Sequence, residues 1–132
     1  MAAKKPVFTT VHLNDVPTES APDTSVIRPL ARLAGASMAH GTLLAGSVSK
    51  AVAHPEIEEI WYVLSGHAEL WRKQGEQTDT VEIGPGTSTV IPVGTHFQFR
   101  TIGNEPFRFI MCTVPPWSGS HDAVDVTEHW PR

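Results

Sequence analysis

An all-β fold, a barrel or sandwich of short antiparallel strands, is what this 132-residue sequence predicts. Three observations carry that expectation. Apolar residues nowhere keep helical spacing for long, so under about a tenth of the chain should be helical. Short β-rich runs recur from residue 26 onward. Turn formers separate them at intervals of roughly eight to twelve residues, the spacing that barrels and sandwiches prefer.

The runs follow one another in order. Residues 26–33 (VIRPLARL) and 36–44 (ASMAHGTLL) come first, and Gly46 ends the pair. Residues 47–53 (SVSKAVA) lead to 59–65 (EIWYVLS), closed by Ser65 and Gly66. Residues 68–73 (AELWRK) and 78–83 (TDTVEI) flank Gln74 and Gly75, and Gly84-Pro85-Gly86 precedes 87–91 (TSTVI). Pro92-Val93-Gly94 separates that run from 96–101 (HFQFRT), and Gly103-Asn104 introduces 106–114 (PFRFIMCTV). Each punctuating group can adopt conformations that end a strand.

Residues 1–25 carry Asp15, Pro17, Thr18, Glu19, Ser20 and Pro22, so they read as an arm in which only 7–13 has edge-strand character. Residues 115–132 read as a loop-like tail, but Trp117 and Trp130 should hold it against the barrel or a partner. One domain over 26–114 is therefore expected, with an arm and a tail.

Composition excludes several function classes. Hydrophobic residues make up 40% and charged residues 18%, a globular composition rather than a disordered one. Ten scattered Lys and Arg against fourteen Asp and Glu leave a net charge of -4, with no basic footprint for nucleic acid and no polybasic membrane patch. The N-terminus lacks a continuous apolar stretch behind its lysines, and no apolar run approaches the roughly 20 residues of a membrane span. Cys112 is the single cysteine, so no internal disulfide can form and a cytoplasmic address is expected. There is no nucleophile elbow, P-loop, dinucleotide fingerprint or Cys-x-x-Cys pair.

Two segments carry more specific information. GSVSKAVAHPEIEEIWYVLSG spans 46–66, and GTSTVIPVGTHFQFRTIGN spans 86–104. Together they resemble the two motifs of the cupin family, G-x5-H-x-H-x(3,4)-E-x6-G and G-x5-P-x-G-x2-H-x3-N. Gly46, His54, Glu59 and Gly66 fall on the first, with Val52 in place of its first histidine. Gly86, Pro92 and Gly94 fall on the second, with Phe97 at the histidine position, His96 one residue early, and Thr101 at the asparagine position. The resemblance to small single-domain cupins implies a jelly-roll-like, double-stranded antiparallel β-barrel. It also implies a divalent metal at the mouth, held here by His54, Glu59 and His96, with His54 and Glu59 as catalytic groups.

Strand alternation puts Glu59, Trp61 and Val63 on one face and Glu58 on the other. A carboxylate inside an apolar strand needs a metal, a histidine or another partner, which points to Glu59 as functional. If Phe97 points inward, His96 points outward; a one-residue bulge near Gly94 or Thr95 would reverse this, and both arrangements satisfy the sequence. His40, on the strand before the first motif, is a further candidate for the cavity. Its face depends on register. Trp61, Trp71, Phe97 and Phe99 are first of all core residues and also candidate walls of a substrate pocket. His12, His67, His121 and His129 read as surface residues, and Arg100 as an interstrand ion pair with Glu69 or Glu82.

Imidazole and carboxylate suit Fe, Mn, Ni, Cu or Zn. The leading expectation is a metal-dependent cupin acting on a small polar organic molecule by isomerase, lyase or dioxygenase chemistry. The rival is a metal-free module binding a carbohydrate-like or aromatic ligand, and a third reading is metal-free acid–base chemistry by His54 and Glu59. A homodimer is expected, because arm and tail are poorly able to bury themselves.

Overall fold

The computed structural model describes residues 8–119 and 122–132. Its strands are β1 (Glu19–Ser20), β2 (Val26–Arg32), β3 (Ser37–Leu43), β4 (Val52–Ala53), β5 (Glu58–Ser65), β6 (His67–Gln74), β7 (Gln77–Ile83), β8 (Ser88–Ile91), β9 (His96–Ile102), β10 (Phe107–Val114) and β11 (Val124–Asp125). One sheet has the order β1-β2-β3-β10-β5-β8 and the other β11-β4-β9-β6-β7, and every pairing is antiparallel. Among the described residues, neither sheet closes on itself or pairs with the other. The expected barrel is therefore more accurately a jelly-roll sandwich of two open sheets. Among the described residues, no helix is long and apolar enough to cross a membrane.

Alternation explains the interior. Along β5 the even-numbered residues are exposed and Glu59, Trp61 and Val63 are buried, while β10 buries Phe107, Phe109 and Met111. Ala68 and Leu70 of β6 and Phe97 and Phe99 of β9 face them from the second sheet. Trp61 meets Phe99 edge-on at 5.0 Å and lies tilted on Phe109 at 4.3 Å between ring centroids, so aromatic contacts join the two sheets. Two glycines permit the closest approaches. A Cβ on Gly41 would sit 2.5 Å from the Phe109 ring, and one on Gly66, at φ +75°, would run into the backbone of Pro106.

Three departures from the expected strands have local causes. Residues 47–53 keep only a two-residue strand, because Ser49 Oγ accepts from Phe99 N at 3.0 Å and Gln98 Nε2 donates to Ser49 O at 2.9 Å, bonds that compete with a regular ladder. Within 7–13, Val7 lies outside the described residues. The rest forms no strand: His12 Nδ1 accepts from Asn14 N and caps a 3-10 turn at Leu13–Asp15. The edge strand lies instead at Glu19–Ser20.

The tail covers two places. Its β11 extends the second sheet beyond β4, and Gln98, fully buried on that sheet's outer face, donates to Trp130 O while accepting from the backbone N–H groups of His129 and Trp130. Earlier in the tail, Trp117 folds against one end of the sandwich, its N–H donating to Ser37 Oγ and its indole to Glu19.

Candidate functional site

The end of the sandwich beneath Trp117 gathers the buried charges. His54 follows β4 directly, and Gly94 N donating to His54 O at 2.8 Å ties that loop to the turn before β9. Glu59 is the second residue of β5, inward-facing by alternation, with Thr113 and Ile91 as its cross-strand neighbours. His54 Nε2 lies 3.2 Å from Glu59 Oε2, and both side chains are only 4% exposed. The other carboxylate oxygen accepts from Trp61 Nε1 at 2.7 Å. On the far side of the imidazole, Nδ1 lies 3.3 Å from Asp122 Oδ2. Phe97 stacks on the ring at 5.9 Å and Trp117 meets it edge-on at 6.1 Å. Hydrocarbon therefore covers the faces of an imidazole whose two nitrogens each meet a carboxylate.

Burial alone would push the His54 pKa down. The hydrogen bond and charge of Glu59, the charge of Asp23 and the hydrogen bond of Asp122 outweigh it, and the net shift is upward, favouring imidazolium. Asp23 is buried beside this group, its Oδ1 accepting from Ser25 N at 2.9 Å and Ser25 Oγ at 2.6 Å. Desolvation raises its pKa against the lowering effect of those bonds, and the Glu59 charge raises it further.

The structure brings together His54, Glu59, Trp61, Phe97 and, packed on Trp61, Phe99 of the residues singled out in the sequence, and separates His96, His40 and Trp71 from them. His96 pairs with Lys73 and Ala53 in unbroken register, so no bulge turns it inward; it shares a face with Gln98, opposite Phe97. His40 pairs with Arg28 and Ile110 on the outer face of the first sheet, since Ala39, Gly41 and Leu43 occupy the inner one. Trp71 lies on the outer face of the second sheet, stacked on His129 at 4.9 Å. Trp61, Phe97 and Phe99 are at most 1% exposed and fill the interior instead of lining an open cavity. His121 lies outside the described residues.

Asp23 and Asp122 are the members that sequence reasoning misses. Asp23 sits in a Pro- and Ser-containing turn that reads as local structure, and Asp122 meets His54 across 68 positions of sequence. No periodicity marks either.

The implied metal can be tested against these donors. Both nitrogens of His54 and both oxygens of Glu59 already face protein partners. Val52 and Phe97 put hydrocarbon where the motifs would place two imidazoles, and both are fully buried. Among the described residues, no group of three or more His, Cys, Asp or Glu side chains could hold a metal ion. Among the described residues, this donor set supplies no third ligand and does not fit a divalent metal.

Comparison with known proteins agrees with the architecture. An uncharacterized protein of Methanocaldococcus jannaschii, MJ1618, is 30% identical over 92 residues, covering 70% of this chain and 69% of its own. Among solved structures, the polyketide cyclase RemF from Streptomyces resistomycificus is 22% identical with a TM-score of 0.72, over 92% of this chain and 87% of that one. Lactobacillus farciminis oxalate decarboxylase, 21% identical, also has a TM-score of 0.72; the match covers 87% of this chain but only 35% of the decarboxylase. At those identities the structural likeness speaks for the fold alone. The sequence profile of the cupin domain matches residues 39–113, more than half of the chain, which therefore belongs to the cupin domain family.

Proposed function

We propose that this cupin acts on a small polar organic molecule without a metal, by proton transfer through the Asp122–His54–Glu59 group. The observation that carries this is the buried imidazole bracketed at 3.2 and 3.3 Å by two carboxylates, at the motif positions where the family resemblance implies metal ligands. An imidazolium held between carboxylates can donate a proton, and a carboxylate can take one, which is what isomerisation or elimination next to a carbonyl requires. Asp122, on the tail and 11% exposed, is the most open member of the group. A substrate reaching the group would replace it at Nδ1.

The test combines elemental analysis with solvent deuterium exchange into a panel of small hydroxy and keto acids. The reading expects no stoichiometric metal, exchange into at least one panel member, and loss of that exchange in Glu59→Gln. One tightly held metal ion per chain, removed by chelator together with the exchange, would overturn it. Val52 and Phe97, hydrocarbon at two of the motifs' ligand positions, favour a second reading, a binding module without turnover. Ligand-induced protection without exchange would select that one.

We also infer self-association. Trp117 and Trp130 are buried against their own chain, so the tail does not demand a partner. Support comes instead from Ile60, Tyr62, Leu64 and Val90, each 44–53% exposed on the outer sides of β5 and β8. Light scattering showing only monomer at micromolar concentration would refute it.

A further inference from the structure

The outer face of the first sheet holds a second polar cluster, remote from His54. In β2–β3 register Arg28 lies opposite His40; one row along, Thr42 lies opposite Val26 and, in β10, opposite Arg108. These residues, with Thr18, Leu13 and Leu44, line a pocket of about 380 Å³. His40 is only 8% exposed.

The arginines there lack the carboxylates that three others of the chain have found, as does Arg32, which donates to Trp117 O at 3.5 Å. Arg72, Arg100 and Arg132 each hold a carboxylate, Asp79, Glu69 and Glu128 respectively. Arg28 donates weakly to Leu13 O at 3.4 Å, and among the described residues neither Arg28 nor Arg108 has an acidic partner. Two guanidinium groups flanking an imidazole repel one another unless an anion sits between them.

The geometry points to an oxyanion site on the outer face of the first sheet, in which Arg28, Arg108 and His40 hold a dianionic group of phosphate type, with the Thr18 and Thr42 hydroxyls as further hydrogen-bonding groups. Guanidinium forks and an imidazole N–H match the several acceptor oxygens of such a group. The apolar rim of Leu13 and Leu44 suits an organic monoester better than a free ion. Electrostatics agrees: burial, then the charges of Arg28 and Arg108, hold the His40 pKa down, the condition an incoming dianion would relieve. The assignment is independent of the chemistry proposed at His54.

The experiment is an NMR titration of the His40 imidazole in the full chain with inorganic phosphate, at constant pH and with ionic strength held by sodium chloride. A saturable shift is expected, together with a rise in the His40 pKa. Arg28→Gln and Arg108→Gln should each weaken the fitted affinity by about tenfold or more, and Arg100→Gln, on the other sheet, should leave it unchanged. Calorimetry on His40→Gln separates loss of the reporter from loss of the site, and weaker phosphate binding is expected there too. A shift that never saturates, equal affinity in the arginine variants, or acetate binding as tightly as phosphate would each overturn the assignment.

Discussion

The two motif segments meet at one end of the sandwich and have gone different ways. The segment ending in β5 keeps His54 and Glu59, and each polar atom of the pair has found a partner. The segment ending in β9 presents Phe97 and Phe99, which pack on His54 and Trp61. One strand supplies charge and the other supplies hydrocarbon to shield it. The difference teaches that hydrocarbon at two ligand positions need not strand the remaining two: His54 and Glu59 face each other, and Asp122 and Trp61 meet their other polar atoms.

The largest effect should come from the hydrocarbon side. Phe99→Ala removes a ring in contact with Trp61, Phe107 and Phe109, and should cost about 3–5 kcal/mol in denaturant unfolding. A loss below about 1 kcal/mol would mean that the interior is looser than its contacts indicate. Next, Phe97→His would place a second imidazole beside His54, at close to the original ring size. Zinc should then raise the melting temperature of the variant and leave the wild type unchanged. Metal at about 100 times its Kd would add about 2.7 kcal/mol. A zinc-dependent rise in the wild type would show that β9 hydrocarbon is not what excludes metal.

How much of this was legible in the sequence follows from where the information lies. The β5 and β9 runs are visible because alternation and turn residues are local, and Glu59 stands out as a charge on an apolar face. Two glycines and a glutamate in a spaced motif are enough to locate the mouth. The placement of His96 and His40 depends on register, a pairing property that a one-residue slip reverses. Asp122 becomes part of the site only because the tail returns across the mouth, and no pattern within the tail announces that path. Sequence reasoning also reads an open pocket where Trp61 and Phe99 fill the space, since lining and filling a cavity call for the same residue types.

The charged side responds to pH in a defined direction. His54 has a folded pKa raised above its unfolded value, so its stabilisation is fully present below the unfolded pKa near 6.5 and is lost as pH rises through the folded value. Asp23 is also raised, from 3.8, so ionising it opposes folding and adds a loss of the same sign at lower pH. Stability should therefore decline on going from mildly acidic to mildly alkaline buffer, and Glu59→Gln should flatten the upper part of that slope. If the slope survives unchanged in Glu59→Gln, the His54 shift does not come from this carboxylate.

The smallest effect should come from a charge pair outside the mouth. Arg100 reaches Glu69 across β9 and β6 with Nε and Nη2 at 3.1 and 2.9 Å, as the sequence led us to expect, and its guanidinium lies 4.4 Å from the centre of the Trp130 ring. Both partners are about a third exposed, so solvent and salt screen them, and the pair should contribute no more than about 1 kcal/mol. A double-mutant cycle with Arg100→Gln and Glu69→Gln isolates that coupling, and its value should fall as salt is raised. The Trp130 contact belongs to Arg100 alone, so it appears in the single Arg100 variant and not in the coupling. A coupling as large as the loss in Phe99→Ala would erase the contrast between the sheltered charges of the mouth and the screened charges outside it.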